Sequence, residues 1–165
     1  GLDLAIMPAG FEDSFPGFQW LDLRQLSAVL VLPLRHPLAK LKKIAPARVR
    51  DLPLIALGRE NFPDYASWVR GILKPFGVAP RFVSQVNDGV MPLFAALEAH
   101  QAGAVLADGA ACVMPRSLTA LPFSPQLPAI VVKIGLPAVR PNPHAEVFAR
   151  LLREAVASDT RGKVA

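Results

Sequence analysis

Apolar residues along this chain come in short runs, each cut off by proline, glycine or charge. Residues 3–7 read as a strand that Pro8-Ala9-Gly10 turns off. A loop over 11–19 follows, with Phe11, Phe15 and Phe18 set among proline and glycine. Trp20–Leu23 is a short strand and 26–33 a longer one; Ser27-Ala28-Val29-Leu30-Val31-Leu32-Pro33 has the composition of a buried strand. Residues 40–52 form a polar connector with one helical turn at 46–51, and 54–57 begins another apolar strand.

Farther along, the period changes. Tyr65, Trp68, Val69, Ile72 and Leu73 are spaced by three and four, which predicts a helix over 64–75 with Asp64 as N-cap after Pro63 and Gly77 as its stop. Arg81–Val86 reads as a strand. Asn87-Asp88-Gly89 opens a second helix running to Ala102, with Gly103 ending it and Ala104–Ala107 as the next strand. Ala110–Met114 fits a strand or a helical turn, and 130–136 is a strong strand. From Asn142 or Pro143 a final amphipathic helix carries Val147, Phe148, Leu151, Leu152 and Ala155, and the tail from Ser158 is polar. Strands alternating with helices predict an α/β fold with a largely parallel sheet.

Composition narrows the class. The chain has 165 residues, 52% of them hydrophobic, and a mean hydropathy of +0.35, yet no apolar run has the length of a membrane span. No basic region precedes an apolar core and cleavage site at the start, so the expectation is a soluble protein. The 17 prolines are spread out and punctuate elements rather than mark a disordered tract. Cys112, the single cysteine, excludes an intramolecular disulfide and fits a reducing cytoplasm. Of the +5 net charge, Arg35, Lys40, Lys42, Lys43, Arg48 and Arg50 cluster without interleaved aromatics, as a solvated face does; a phosphate-contacting patch is the second reading. Gly1-Leu2-Asp3-Leu4-Ala5-Ile6 puts a turn glycine and a core strand at the very start, and the expectation is a piece of a longer protein.

Four pieces in order carry a family likeness: Gly1–Ile6; the Val29–Pro33 strand with His36-Pro37-Leu38-Ala39 and Asp51-Leu52; Pro80–Val83 leading through the Asp88 helix to Gly109-Ala110-Ala111-Cys112-Val113-Met114-Pro115; and the strand at 130–136 with its closing helix. Together they resemble the effector-binding domain of LysR-type bacterial transcription regulators. Ala110 or Ala111 stands where that family usually has glycine. The resemblance implies a type II periplasmic-binding-protein-like α/β fold of two Rossmann-like subdomains with a ligand cleft between them. Residues 1–52 and 131–165 would form subdomain I, incomplete here, and 53–130 subdomain II. It further implies a small-molecule effector, self-association as dimer or tetramer, and DNA binding only through a winged helix-turn-helix domain upstream. The helix at 64–75 and the strand at 54–57 are the candidate pairing elements.

Chemistry is sought beyond the carboxyl ends of strands, where α/β sheets bind ligands. Two such ends stand out: Met7, Pro8 and Ala9, and Val86, Asn87 and Asp88. The second opens a helix, whose unpaired N–H groups suit a carboxylate, with Asn87 as an amide donor and Asp88 as N-cap. Apolar neighbours add the expectation of a ligand with an apolar portion. The alternative is that these residues are only cap and core. His36, read as a turn residue, His100 and His144 are far apart, and no metal, nucleophile-elbow or phosphate-loop motif occurs, so no enzyme activity, metal or cofactor is expected. Cys112 beside Val113 and Met114 reads as buried and inert. The other function class is a solute-binding protein of a transporter, which shares the fold.

Overall fold

The apolar run before Pro33 becomes the middle strand of a sheet. A computed structural model of the chain describes residues 1–10, 12–60, 62 and 64–162. Phe11, Pro63 and the last three residues of the polar tail lie outside the described residues. The chain divides into two compact units: unit 1 is residues 1–26 with 130–165, and unit 2 is residues 27–129.

Unit 1 contains β1 (Ala5–Pro8) and β2 (Phe18–Leu26), and its second segment supplies β8 (Ile130–Pro137) and α3 (Pro143–Gly162). Both β1 and β2 pair antiparallel with β8, in the order β1-β8-β2. Asn142 starts α3 by accepting the His144 N–H at 3.0 Å on its side-chain oxygen, with Pro143 in the first helical position. Of the predicted apolar stripe of α3, Leu152 is half-buried, while Val147, Phe148, Leu151 and Ala155 are exposed. Among the described side chains of that helix, the buried one is Ala149.

Unit 2 holds β3 (Ala28–Pro33), β4 (Pro53–Leu57), α1 (Tyr65–Leu73), β5 (Arg81–Val86), α2 (Val90–His100), β6 (Ala104–Ala107) and β7 (Leu118–Pro122). All six residues of β3 are buried, as expected for a strand with neighbours on both edges and both faces. It pairs antiparallel with β6 on one side and β7 on the other. The β4–β5 pair is parallel, and a parallel bridge from Leu54 to Gly103 brings β4 against the residue that opens β6. A Cβ on Gly103 would lie 2.8 Å from Leu52 Cδ2, so a larger residue there would push core leucine side chains aside.

The largely parallel sheet expected from the sequence is corrected: both edges of β3 and both ladders of unit 1 are antiparallel. Parallel pairing needs a long crossover, and only α1 and α2 supply one, between β4, β5 and β6. The predicted strand over 26–33 is two strands. Leu26 pairs with Ile130 in unit 1 and Ala28 with Ala107 in unit 2, so the chain changes units at Ser27. The expected domain boundary at 52/53 thereby moves to 26/27, because Ile44, Val49 and Leu52 are buried in one core with β3, β4 and α1. The strand β7 was not anticipated. α2 ends at Gln101 in the left-handed region (φ 48°) rather than at Gly103, whereas Gly77 (φ 64°) does close the turn after α1. Asp64 occupies the N-cap position of α1, but its carboxylate caps nothing. β4, proposed from the sequence as a pairing element, is buried within the sheet; the open edge belongs to β5.

Candidate functional site

Parallel strands β4 and β5 end side by side, and both helical crossovers start from that edge. Leu57 pairs with Val86, and the Gly58 N–H donates to the Val86 carbonyl at 2.8 Å. Gly58 is buried, and a Cβ there would stand 1.6 Å from Asn87 Oδ1, so the Asn87 amide lies directly across the glycine. The Gly58 carbonyl accepts the Phe62 N–H at 2.9 Å, which folds the loop leading to α1. The absence of a side chain at Gly58 thus sets where Asn87 sits. The strand-end signal located Val86 and Asn87; Gly58, between Leu57 and Arg59, offered only a glycine after an apolar run.

Asp88 does not cap the helix as expected. Gly89, at φ 91°, takes the N-cap position of α2, and no side chain accepts from its first turn. Asp88 is exposed, as is Asn87, and Val86 is half-buried. The first-turn N–H groups of α2 keep the positive end of the helix dipole at this edge.

In unit 1, Met7 is half-buried and pairs with Lys133, Pro8 is exposed and pairs with Val132, and the exposed Ala9 donates its N–H to the Val131 carbonyl at 2.7 Å. Directly paired residues project to the same side of a sheet, so Met7 has a cationic neighbour that the sequence reading of an apolar strand end overlooked. The signal was available: Lys133 is the one charged residue in Ile130-Val131-Val132-Lys133-Ile134-Gly135-Leu136. Its ammonium lies 3.0 Å from Glu12 and 3.7 Å from Asp22, and the Glu12 carboxylate also accepts the Gly10 N–H at 2.5 Å. A hydrogen bond from its own backbone, then Lys133 and Gly10, hold the Glu12 carboxyl below its ordinary range; the hydrogen bond to Glu12 pushes Lys133 up. The strand end at Met7 and the strand end at Asn87 belong to different units.

Other sequence candidates resolve more simply. His36 Nδ1 accepts the Leu38 N–H at 3.2 Å and so caps the short turn Pro37–Lys40, the turn role expected of it; burial holds its pKa below the usual histidine value. Cys112 is exposed in the turn Asp108–Val113, not buried as its neighbours suggested. Among the described residues no group of three or more His, Cys, Asp or Glu is arranged to hold a metal ion, and no helix is long and apolar enough to cross a membrane.

An open α/β unit with two helices rising from the carboxyl edge of its parallel strands is a small-molecule-binding architecture. The family model described as LysR substrate binding domain matches residues 1–157, and the chain belongs to that family. Its fold is accordingly the type II periplasmic-binding-protein-like α/β fold. Among solved structures, it is similar to the reduced form of the OxyR regulatory domain from Pseudomonas aeruginosa, at 21% identity and a TM-score of 0.72, covering 92% of this chain and 72% of that one. It is also similar to the CcmR regulatory domain of Synechocystis PCC6803 in complex with 2-PG, at 16% identity and a TM-score of 0.76, covering 93% and 73%. Full-length CbnR complexed with its target DNA matches at 19% identity and a TM-score of 0.71 over 86% of this chain, which spans about half (49%) of that regulator. No curated protein matches the chain. Family membership sets the transporter reading aside: this is an effector-sensing regulatory domain of LysR type.

Proposed function

We propose that this domain binds a small molecule carrying a carboxylate and an apolar part, and thereby controls DNA binding by a winged helix-turn-helix domain elsewhere in the full-length regulator. The observation that carries the ligand assignment is the shared carboxyl edge of β4 and β5, where Asn87 lies over Gly58 and α2 begins without a side-chain cap. There the ligand's carboxylate meets helix N–H groups and the Asn87 amide, with Val86 beside it and Asp88 exposed at the rim. In unit 1 the proposed contacts are Met7, Pro8 and Ala9 at the end of β1. No reaction is assigned to the site. We place the protein in the cytoplasm, acting as a dimer or tetramer, with α1 the remaining pairing element now that β4 is buried.

The reading draws support from CcmR, whose regulatory domain is described in complex with 2-PG, and from CbnR, described with its target DNA. Its test begins with a thermal-shift screen of small carboxylates, followed by calorimetry on the ligand found. Asn87→Ala and Met7→Ala each weaken binding several-fold with the fold intact. Unchanged affinity in both variants overturns the site assignment.

A further inference from the structure

The net charge of +5 is carried by one stretch of one unit. Unit 1 holds equal numbers of basic and acidic residues, while unit 2 carries eleven Lys and Arg against six Asp and Glu. Six of those eleven cations fall between Arg35 and Arg50, and no aspartate or glutamate occurs from Ser27 to Arg50. Arg35, Lys40, Lys42 and Lys43 are exposed, and among the described residues their side chains have no hydrogen-bond or ion-pair partner. Glu98 is the carboxylate that hydrogen bonding brings toward this stretch, and it already accepts from the Ser117 hydroxyl.

These cations stand on a fixed frame. The Leu34 N–H donates to the Ser117 carbonyl at 2.8 Å, and the N–H groups of His36, Ala39 and Leu41 donate to Pro33, His36 and Leu38 at 2.9, 2.9 and 3.0 Å. Ile44, which is buried, then docks the segment beside β7: its N–H donates to the Pro122 carbonyl at 3.0 Å, and its own carbonyl accepts the Ser124 N–H at 2.9 Å. The segment from Leu34 to Lys43 is thereby anchored at both ends to the β7 edge of unit 2. That edge lies opposite β5, because β7 and β6 flank β3, β4 meets the residue that opens β6, and β5 lies beyond β4. A partner bound here leaves the α1–β5 side free for self-association.

Two leucines decide what kind of partner fits. Leu34 is 54% exposed and Leu41 40%, and both stand among the cations. A nucleic-acid backbone is held by cations together with Ser, Thr, Asn, Gln or Tyr side chains, and residues 34–43 include none of these. Exposed leucines offer a phosphate backbone nothing, whereas a peptide that mixes carboxylates with apolar side chains uses both kinds of residue. We propose that the β7 edge of unit 2 is a docking surface for an acidic, apolar-studded segment of a partner protein. Arg35, Lys40, Lys42 and Lys43 meet its carboxylates, and Leu34 and Leu41 meet its apolar side chains. The charge steers the encounter and the leucines add contact that salt does not screen.

The test titrates a fluorescently labelled synthetic peptide of interspersed glutamate and leucine with the 165-residue chain at physiological ionic strength, read by anisotropy. Saturable binding is expected, weakened several-fold when serines replace the peptide's leucines, and tighter than that of a labelled duplex DNA. Combining Lys42→Gln with Lys43→Gln should weaken peptide binding about fivefold or more through the lost charge pairs. Arg153→Glu, at an exposed residue of α3 in unit 1, lowers the net charge by the same amount and should leave binding unchanged. Leu41→Ser keeps every charge and should weaken binding several-fold; it also serves as the test if the lysine changes disturb the fold. The proposal is overturned if binding does not saturate, if the serine peptide binds as tightly, or if duplex DNA binds more tightly. Unchanged affinity in the lysine pair or in Leu41→Ser overturns it as well, as does an equal loss in Arg153→Glu. None of these outcomes bears on the effector assignment, which is read at Asn87 with its own ligand.

Discussion

Unit 2 is held together by burial, and unit 1 by pairing and surface charge. Among the described residues, 28 buried hydrophobic side chains form one core inside unit 2, and only Ala5, Ile134 and Ala149 are their counterparts in unit 1. Among the described residues, the three ion pairs lie in unit 1, as Lys133 with Glu12, Lys133 with Asp22 and Arg150 with Glu154. Unit 1 also leaves Ile6, Leu21, Phe148 and Leu151 about half exposed. Ladder hydrogen bonds hold β1, β8 and β2 together there, with an aromatic cluster packed on the sheet. The lesson is that one chain with a uniform apolar composition can build one unit around a core and another around a sheet.

The contrast is broken most directly at the centre of the core. Phe94, on α2, is 1% exposed, and Phe94→Ala should cost about 3–5 kcal/mol through the cavity it leaves. Phe148→Ala, at a residue 51% exposed in unit 1, should cost roughly 0.5 kcal/mol or less. Urea unfolding of the two variants measures both. Equal losses would mean that unit 1 relies on burial as unit 2 does.

Unit 1 has its own vulnerable point. Trp20 pairs with Gly135, and its ring covers that glycine so closely that a Cβ would stand 2.5 Å from Trp20 Cζ3. Phe18 stacks on Trp20 at 5.8 Å and Phe15 meets it edge-on at 6.1 Å. Gly135→Ala should therefore lift the indole and cost about 1–3 kcal/mol by overpacking. A changed tryptophan emission with lower stability is the expected result. An unperturbed spectrum would show that the aromatic cluster is not seated on the glycine.

Next in size is the equivalent glycine of unit 2. Gly58→Ala places a methyl where the Asn87 amide lies. Stability should fall by about 1–2 kcal/mol by overpacking, because the methyl also meets the Asn87 backbone, whose Cα would be 3.0 Å away. Binding of the effector should fall several-fold, as in Asn87→Ala, because the amide no longer occupies its position. Calorimetry showing full affinity in Gly58→Ala would separate the glycine from the site.

These residues show what was legible beforehand. Arg81–Val86 and Ala104–Ala107 were read to the residue, and 54–57 and 130–136 to within one, because runs of aliphatic residues bounded by Pro, Gly or polar groups have few alternatives. The ordered motifs around His36 and Gly109 were enough to reach the family. Strand direction was not legible, since it depends on which strand returns beside which; β7, a five-residue strand between two prolines, hid in turn-like composition. The position of Asn87 at the end of a strand was legible from Arg81–Val86. Its dependence on Gly58 was not, because that contact spans two strand ends far apart in sequence. Lys133 was passed over for the same reason, as only the β1–β8 register sets it opposite Met7.

The smallest expected effect separates the units by pH. Glu12, whose carboxyl is held below its ordinary value of 4.5 by its own backbone hydrogen bond, Lys133 and Gly10, is bound to fewer protons when unit 1 is folded than when it is unfolded. Its contribution is therefore present above the ordinary carboxylate value and is lost as pH falls through the lowered one. Lys133, raised above its ordinary 10.5 chiefly by the hydrogen bond to Glu12, contributes below that value and loses its contribution as pH rises through the raised one. Unit 1 should thus hold a plateau between these limits. In unit 2 the acid-side group is His36, lowered below its ordinary 6.5 by burial, so its contribution is present above that value and is lost as pH falls through the folded one. Hydrogen exchange followed across pH should show protection in unit 2 beginning to weaken in the histidine range, and protection in unit 1 only in the carboxylate range. Glu12→Gln should remove the acid limb of unit 1 and leave unit 2 unchanged, because both partners of that ion pair lie within unit 1. A loss of protection in unit 2 on Glu12→Gln, or no acid limb in the parent unit 1, would break the assignment of surface charge to one unit and burial to the other.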